Sequence, residues 1–117
     1  MSESALGRRG ENLAARYLEH AGLVVLSRNW RCSEGELDLV LTDGRKLVVC
    51  EVKTRTSTNY GTPAEAVTDD KASRIRRLAR RWLHTHRLPH CPLRFDIVSI
   101  LWPPNQNPQI RHLQGAF

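Results

Sequence analysis

Asp38 lies in the run Gly35-Glu36-Leu37-Asp38, and Glu51-Val52-Lys53 follows beyond a turn-forming stretch. Alternation along an extended segment at 46–54 puts Leu47, Val49, Glu51 and Lys53 on one face and Val48, Cys50, Val52 and Thr54 on the other. A carboxylate and an ammonium then project side by side. If Asp38 joins them from a neighbouring strand, its repulsion with Glu51 is relieved by protonation of one acid or by a cation between them. Oxygen donors without thiolate or imidazole suit Mg²⁺ or Mn²⁺. Such a cation on a phosphoryl oxygen, with Lys53 facing the developing negative charge, has the parts needed for phosphodiester hydrolysis.

The elements that must position these groups can be read from periodicity. Leu6, Leu13, Ala14, Tyr17 and Leu18 recur at helical spacing between Ser4 and His20, and Gly22 supplies a stop. Leu23 to Trp30, Glu36 to Thr42 and Lys46 to Thr54 read as three strands, the last two forming a hairpin around Asp43-Gly44. A two-residue turn there pairs Thr42 with Arg45 and Val40 with Leu47, and leaves Asp38 and Glu51 diagonal. A shift of two residues makes them directly opposite, and only an odd slip separates them.

Thr62-Pro63-Ala64-Glu65 has the form of a capping box and predicts a short turn, while Thr68 before Asp69 and Asp70 offers a second helix start. Ile75, Leu78, Ala79, Trp82, Leu83 and His86 make the apolar stripe of a main helix from Asp69 to His86. After Pro89 and Pro92 comes a strand from Leu93 to Leu101, then a short edge strand from Ile110 to Leu113. The expected class is α/β, an αβββαβ core whose mixed central sheet is flanked by helices, in one domain spanning 1–117.

At 117 residues, with 40% hydrophobic and 26% charged, the chain is ordinary for a globular domain. The longest apolar runs, Leu23 to Leu26 and Leu47 to Cys50, are far short of the roughly 18 residues of a membrane span. Met1 to Gly10 has two arginines and no apolar stretch after them, so no secretory signal is expected and the cytoplasm is the default location. Cys32, Cys50 and Cys91 are odd in number and widely spaced, which suggests reduced thiols rather than a disulfide framework or zinc site. His84 and His86, two apart on a helix, point in different directions.

Charge is distributed unevenly. Residues 1–70 hold 9 basic and 11 acidic groups, whereas residues 71–117 hold 9 basic groups against Asp96 alone. An ordinary surface helix would intersperse acids at i, i+4. The run Lys71, Arg74, Arg76, Arg77, Arg80 and Arg81 therefore suits a polyanion, with contact to the backbone rather than to base edges. Lys71 sits where the helix dipole disfavours a cation, which suggests a phosphate contact. Asp96 is expected to pair with Arg94. Trp82 is expected in the core, and Trp30 and Trp102 are open to base stacking.

Asp38 and Glu51-Val52-Lys53 resemble the PD-(D/E)xK nuclease signature in its degenerate form, with Leu37-Asp38 in place of the Pro-Asp dipeptide. Gly10-Glu11, Arg28-Asn29-Trp30, Gly35 to Val40, Val49 to Arg55, Ala66-Val67 before Lys71, and Arg94 to Val98 together resemble the YraN-type family of uncharacterised bacterial proteins. The resemblance runs from the first helix to Ala116-Phe117. That family is similar to the archaeal Holliday-junction resolvases.

The resemblance implies a restriction-endonuclease-like fold and a site of Glu11, Asp38, Glu51 and Lys53. Asp38 and Glu51 would ligate Mg²⁺, with help from the Val52 carbonyl, Glu11 would act through a metal-associated water, and Lys53 would orient the nucleophile. The expected activity is a Mg²⁺- or Mn²⁺-dependent endonuclease acting on DNA, rather than RNA, at branched or repair intermediates. Lys71, Arg74, Arg77, Arg81 and Arg55 would contact the nucleic acid, and a homodimer would match a two-fold junction. Two alternatives stand beside it: a catalytically silent nucleic-acid-binding module of the same fold, and an interaction protein whose arginines bind an acidic partner protein.

Overall fold

The computed structural model describes residues 4–57 and 67–117. Its order is α1 (Ala5–His20), β1 (Val24–Cys32), β2 (Gly35–Thr42), β3 (Leu47–Arg55), α2 (Asp69–Thr85), β4 (Leu93–Leu101) and β5 (Gln109–Leu113). The strands form one sheet in the order β1-β2-β3-β4-β5, antiparallel except for the parallel pair β3–β4 that α2 connects. This mixed sheet flanked by two helices is compatible with a restriction-endonuclease-like core.

Two apolar layers sandwich the sheet. Ala14, Ala15 and Leu18 of α1 pack with Leu39, Leu41, Val48, Cys50, Val98 and Ile100. Ile75, Leu78, Ala79, Trp82 and Leu83 of α2 pack with Val40, Leu47, Val49 and Phe95. The side-chain alternation predicted for β3 is therefore realised, since Val48 and Cys50 face α1 while Leu47 and Val49 face α2. Trp82 lies in the core as expected and donates its indole N–H to Ser27 Oγ at 3.0 Å. His86 instead caps α2, exposed, with its ring stacked on Trp82 at 4.1 Å.

Both helix starts are capped. The Ser4 hydroxyl accepts from Gly7 N–H at 3.0 Å and the Thr68 hydroxyl from Lys71 N–H at 3.2 Å, while Asp69 and Asp70 fill the first turn of α2. The main helix thus begins at the second of the two predicted starts; the turn expected at 62–65 lies outside the described residues. No helix among the described residues is long and apolar enough to cross a membrane.

The β2–β3 hairpin departs from the two-residue turn. Thr42 pairs with Leu47 and Leu39 with Cys50, so Asp43, Gly44, Arg45 and Lys46 all lie in the loop. The cause is local side-chain bonding that outcompetes a tight turn. Asp43 accepts from both Arg45 and Lys46 N–H at 2.9 Å, and the Thr42 hydroxyl bridges Gly44 N–H and Lys46 C=O. The resulting two-residue shift brings Asp38 and Glu51 to opposed positions just beyond the last paired residues.

Candidate active site

The β2–β3 ladder ends at Leu39–Cys50, whereas β3 continues its parallel pairing with β4 to Arg55–Leu101. Where β2 and β3 part, side-chain hydrogen bonding takes over from the ladder: Asp38 Oδ2 accepts from Val52 N–H at 2.9 Å. On the other side of β2, Asn29 adopts φ +50° and interrupts the β1 ladder between Arg28–Leu39 and Trp30–Leu37, opposite Asp38. Asn tolerates this left-handed conformation better than most residues. Asp38 thus occupies a break in pairing on both flanks.

Glu51 is buried, on the α2 side after Leu47 and Val49. Its Oε1 receives Lys71 Nζ of α2 at 3.3 Å, and its buried Oε2 has no hydrogen-bond partner among the described residues. Burial is the largest influence on both acids. It pushes Asp38 from 3.8 up to about 7, aided by the charge of Glu51 and opposed by the Val52 amide. It raises Glu51 as well, against the charge and hydrogen bond of Lys71 and the backbone amide of Asp38. The repulsion anticipated from the sequence is present, and burial amplifies it.

Glu11 comes from α1 on the other side of the sheet. Gly10 is the residue that lets the helix approach: a Cβ at this position would lie 1.8 Å from Thr54 Oγ1 and 2.9 Å from Thr54 Cβ. The close contact buries Glu11, and neither of its carboxylate oxygens has a hydrogen-bond partner among the described residues. Glu11, Asp38, Val52, Lys53 and Thr54 line one open cleft of about 200 Å³. Lys53 is exposed at its rim.

The expected quartet therefore meets at one end of the sheet, but not at a single point. Among the described residues no three acidic, histidine or cysteine side chains are grouped closely enough to share one ion. Glu51 is turned toward Lys71, while Glu11 approaches from the α1 side. The donors still suit a hard divalent cation, because three buried carboxylate oxygens, both of Glu11 and one of Glu51, lack partners. A cation beside Glu51 would relieve its repulsion with Asp38.

The residues expected to contact nucleic acid divide into groups. Arg74 and Arg77 are exposed on α2, as is Arg80. Arg81 is tied to Glu34, and Arg76 lies over the Phe95 and Phe117 rings at 5.9 Å. Arg55 is half-buried at the end of β3, where its C=O accepts from Trp102 N–H at 2.7 Å. Lys71 faces Glu51, a contact the sequence reading missed. Its signal was a lysine in the first turn of α2, where the dipole opposes it, in a fold with a buried acid needing a counter-charge.

Two other acids have structural partners. Glu36 is exposed and pairs with Arg31 at 2.8 Å. Asp96 is fully buried, held by Arg94 at 2.9 and 2.8 Å, His112 Nε2 at 2.8 Å and Gly115 N–H at 3.0 Å, which confirms its expected pairing with Arg94.

Comparison with known proteins agrees with the sequence resemblance. The family model described as "Uncharacterised protein family UPF0102" matches residues 10–100. A UPF0102 protein of Frankia alni is 56% identical over 118 residues, covering 99% of this chain and 97% of the relative. Another from Frankia casuarinae is 53% identical over 116 residues, covering 99% and 98%. A third from a Nocardioides species is 53% identical over 113 residues, covering 97% and 91%.

Proposed function

This chain belongs to the UPF0102 family, and from that premise we propose that it is a Mg²⁺- or Mn²⁺-dependent endonuclease hydrolysing phosphodiester bonds in DNA, with branched repair or recombination intermediates as substrates. One observation carries the reading. Half-buried Asp38 and buried Glu51 stand together where β2 and β3 part, and both are held above the ordinary carboxylate range. Clustered, perturbed acids beside a cleft are a signature of functional sites, because folding alone gains nothing from them.

Asp38 and Glu51 would hold the cation, and Glu11 would act through a water associated with it. When bound, the cation would supply Lewis-acid polarisation of a phosphoryl oxygen and a water of lowered pKa. The chain's own groups do the rest. The Val52 amide fixes the Asp38 carboxylate, and Lys71 fixes one oxygen of Glu51. Exposed Lys53 offers its ammonium to the phosphate and to charge that develops there. Arg74 and Arg77 supply affinity for the backbone without reading sequence. A DNA substrate goes with a cytoplasmic location, and a junction substrate with a homodimer.

The test is cleavage of a labelled four-way junction, a flap, a duplex and a single strand with Mg²⁺ or Mn²⁺, using wild type, Glu51→Ala and Lys53→Ala. Cleavage of at least one substrate, lost in both variants, is the expected result. Equal activity in all three proteins would assign the cleavage to a contaminant.

A second reading rests on the Lys71–Glu51 ion pair and on the absence, among the described residues, of three acids within reach of one ion. It makes the protein a catalytically silent nucleic-acid-binding module. Salt-dependent binding without cleavage, unaffected by Glu51→Ala, would support it.

A further inference from the structure

A second cleft lies beside the acidic one. It has a volume of about 560 Å³ and is bounded by Leu6 and Arg9 of α1, by Trp102, and by Asn105, Gln106 and Asn107 of the β4–β5 loop. Leu6 also lines the acidic cleft, and a third hollow lined by Leu6 and residues Lys53 to Thr56 shares Lys53 and Thr54 with the acidic cleft and Thr56 with the second. Neighbouring hollows with shared lining residues therefore lead from Asp38 and Lys53 to Trp102. Backbone pairing fixes their span: Lys53 opposes Ser99, Arg55 opposes Leu101, and Trp102 N–H closes on Arg55 C=O.

We propose that this cleft is a subsite for an unpaired nucleotide of the nucleic acid whose backbone occupies the acidic cleft, with Trp102 as its stacking platform. The inference rests on the nucleic-acid reading of the neighbouring site. Trp102 is half-buried, with its body packed against the α1-side core, so the ring is rigid. The Arg9 guanidinium lies over the ring, 4.2 Å from its centroid. A planar cation covers the ring there much as a base would.

An exposed cation–π contact is weaker than a base–aromatic stack, so an incoming base can take the ring from Arg9. The released guanidinium then faces the nucleotide's own phosphate, and contact is exchanged rather than lost. The side-chain amides of Asn105, Gln106 and Asn107 carry both donors and acceptors at the far wall, which suits the polar edge of an unstacked base. A base within a duplex has its faces covered by its neighbours and cannot use the ring. The site thus favours single-stranded or frayed segments next to the scissile bond.

The test uses the full chain in EDTA, with an oligodeoxythymidine of about 15 nucleotides carrying one 5-iodouracil, and a duplex of the same length. Irradiation of the wild-type complex should yield a crosslinked peptide containing Trp102. Trp102→Ala should weaken single-strand binding roughly tenfold or more and duplex binding less than about threefold, whereas Trp102→Phe should stay within about threefold of wild type. Crosslinks confined to α2, or equal losses for single strand and duplex, would overturn the proposal. Because the assay is metal-free, an active nuclease crosslinked elsewhere refutes the subsite alone. Crosslinks at Trp102 in a protein that cleaves nothing with Mg²⁺ keep the subsite and refute the nuclease.

Discussion

Asp38→Asn should stabilise the metal-free protein, by an amount that grows with pH. In the fold the Asp38 carboxyl titrates near 7 against 3.8 for the ordinary group, chiefly because of burial and then because of Glu51. A carboxyl raised in this way contributes its full stability below about pH 4 and loses it as pH rises through about 7. Integrating between pH 5 and pH 8 gives a loss of about 2–3 kcal/mol in the wild type. Asparagine cannot ionise and so escapes it. Its side-chain oxygen can still accept the Val52 N–H that Asp38 holds at 2.9 Å, and the change also lightens the charge around Glu51.

The assay is thermal and urea unfolding of both proteins at pH 5, 6, 7 and 8 in EDTA. The variant should gain on the wild type mostly between pH 5 and pH 7 and level off by pH 8, where the additional difference reaches roughly 10 °C in Tm for a chain of this size. Mg²⁺ added at pH 8 should then raise the Tm of the wild type and have much less effect on Asp38→Asn, since only the charged pair rewards a cation. A difference between the proteins that stays constant from pH 5 to pH 8 would refute the reasoning. It would mean that Asp38 is ionised throughout and that the cleft does not store the strain assigned to it.

Two further substitutions test the framework around the site. Gly10→Ala should cost about 1–3 kcal/mol despite the better helix propensity of alanine, because its Cβ would meet Thr54 at 1.8 Å and force α1 away from β3; neutral urea unfolding would refute the close packing that buries Glu11. Asp96→Asn should cost about 3 kcal/mol at pH 7 by uncoupling Arg94, His112 and the Gly115 amide. The Asp96 carboxyl is held below its ordinary value by Arg94, Gly115 and His112 against the opposing effect of burial. Its contribution is therefore present above about pH 4 and lost as pH falls further, so the two proteins should converge in acid. A gap under about 1 kcal/mol at pH 7 would contradict this.

The fold was legible where periodicity and capping agree. The i, i+3, i+4 spacing of Ile75, Leu78, Ala79 and Trp82 defined α2, and Thr68 with two following aspartates marked its start. The hairpin register was less legible. Asp-Gly signals a two-residue turn, but the bonds that set the real loop come from the side chains of Thr42 and Asp43. The Asn29 conformation and the register shift between Val25 and Ser27 in β1 have no comparable signature.

At the site, alternation placed Glu51 with Leu47 and Val49. It could not show that Lys71, distant in sequence, would answer Glu51, or that Gly10 would allow Glu11 to be buried. Both depend on how each helix seats on the sheet, which one strand's pattern does not contain.

The mixed sheet explains why acids can be buried here. An all-antiparallel ladder extending past Asp38 and Glu51 would use their backbone groups in pairing and leave no space between the strands. In this molecule β3 stays rigidly bonded to β4 as far as Arg55, while β2 departs after Leu39. Glu51 and Lys53 are therefore presented by a fixed strand, and Asp38 by one whose carboxylate reaches β3 at the Val52 N–H. The opening created by that departure lies next to the place where α1 can insert Glu11 and where α2 begins with Lys71. The departure of β2 from β3 that leaves Asp38 beside Glu51 also opens the cleft, so the site's electrostatic strain and its access to substrate have the same structural origin.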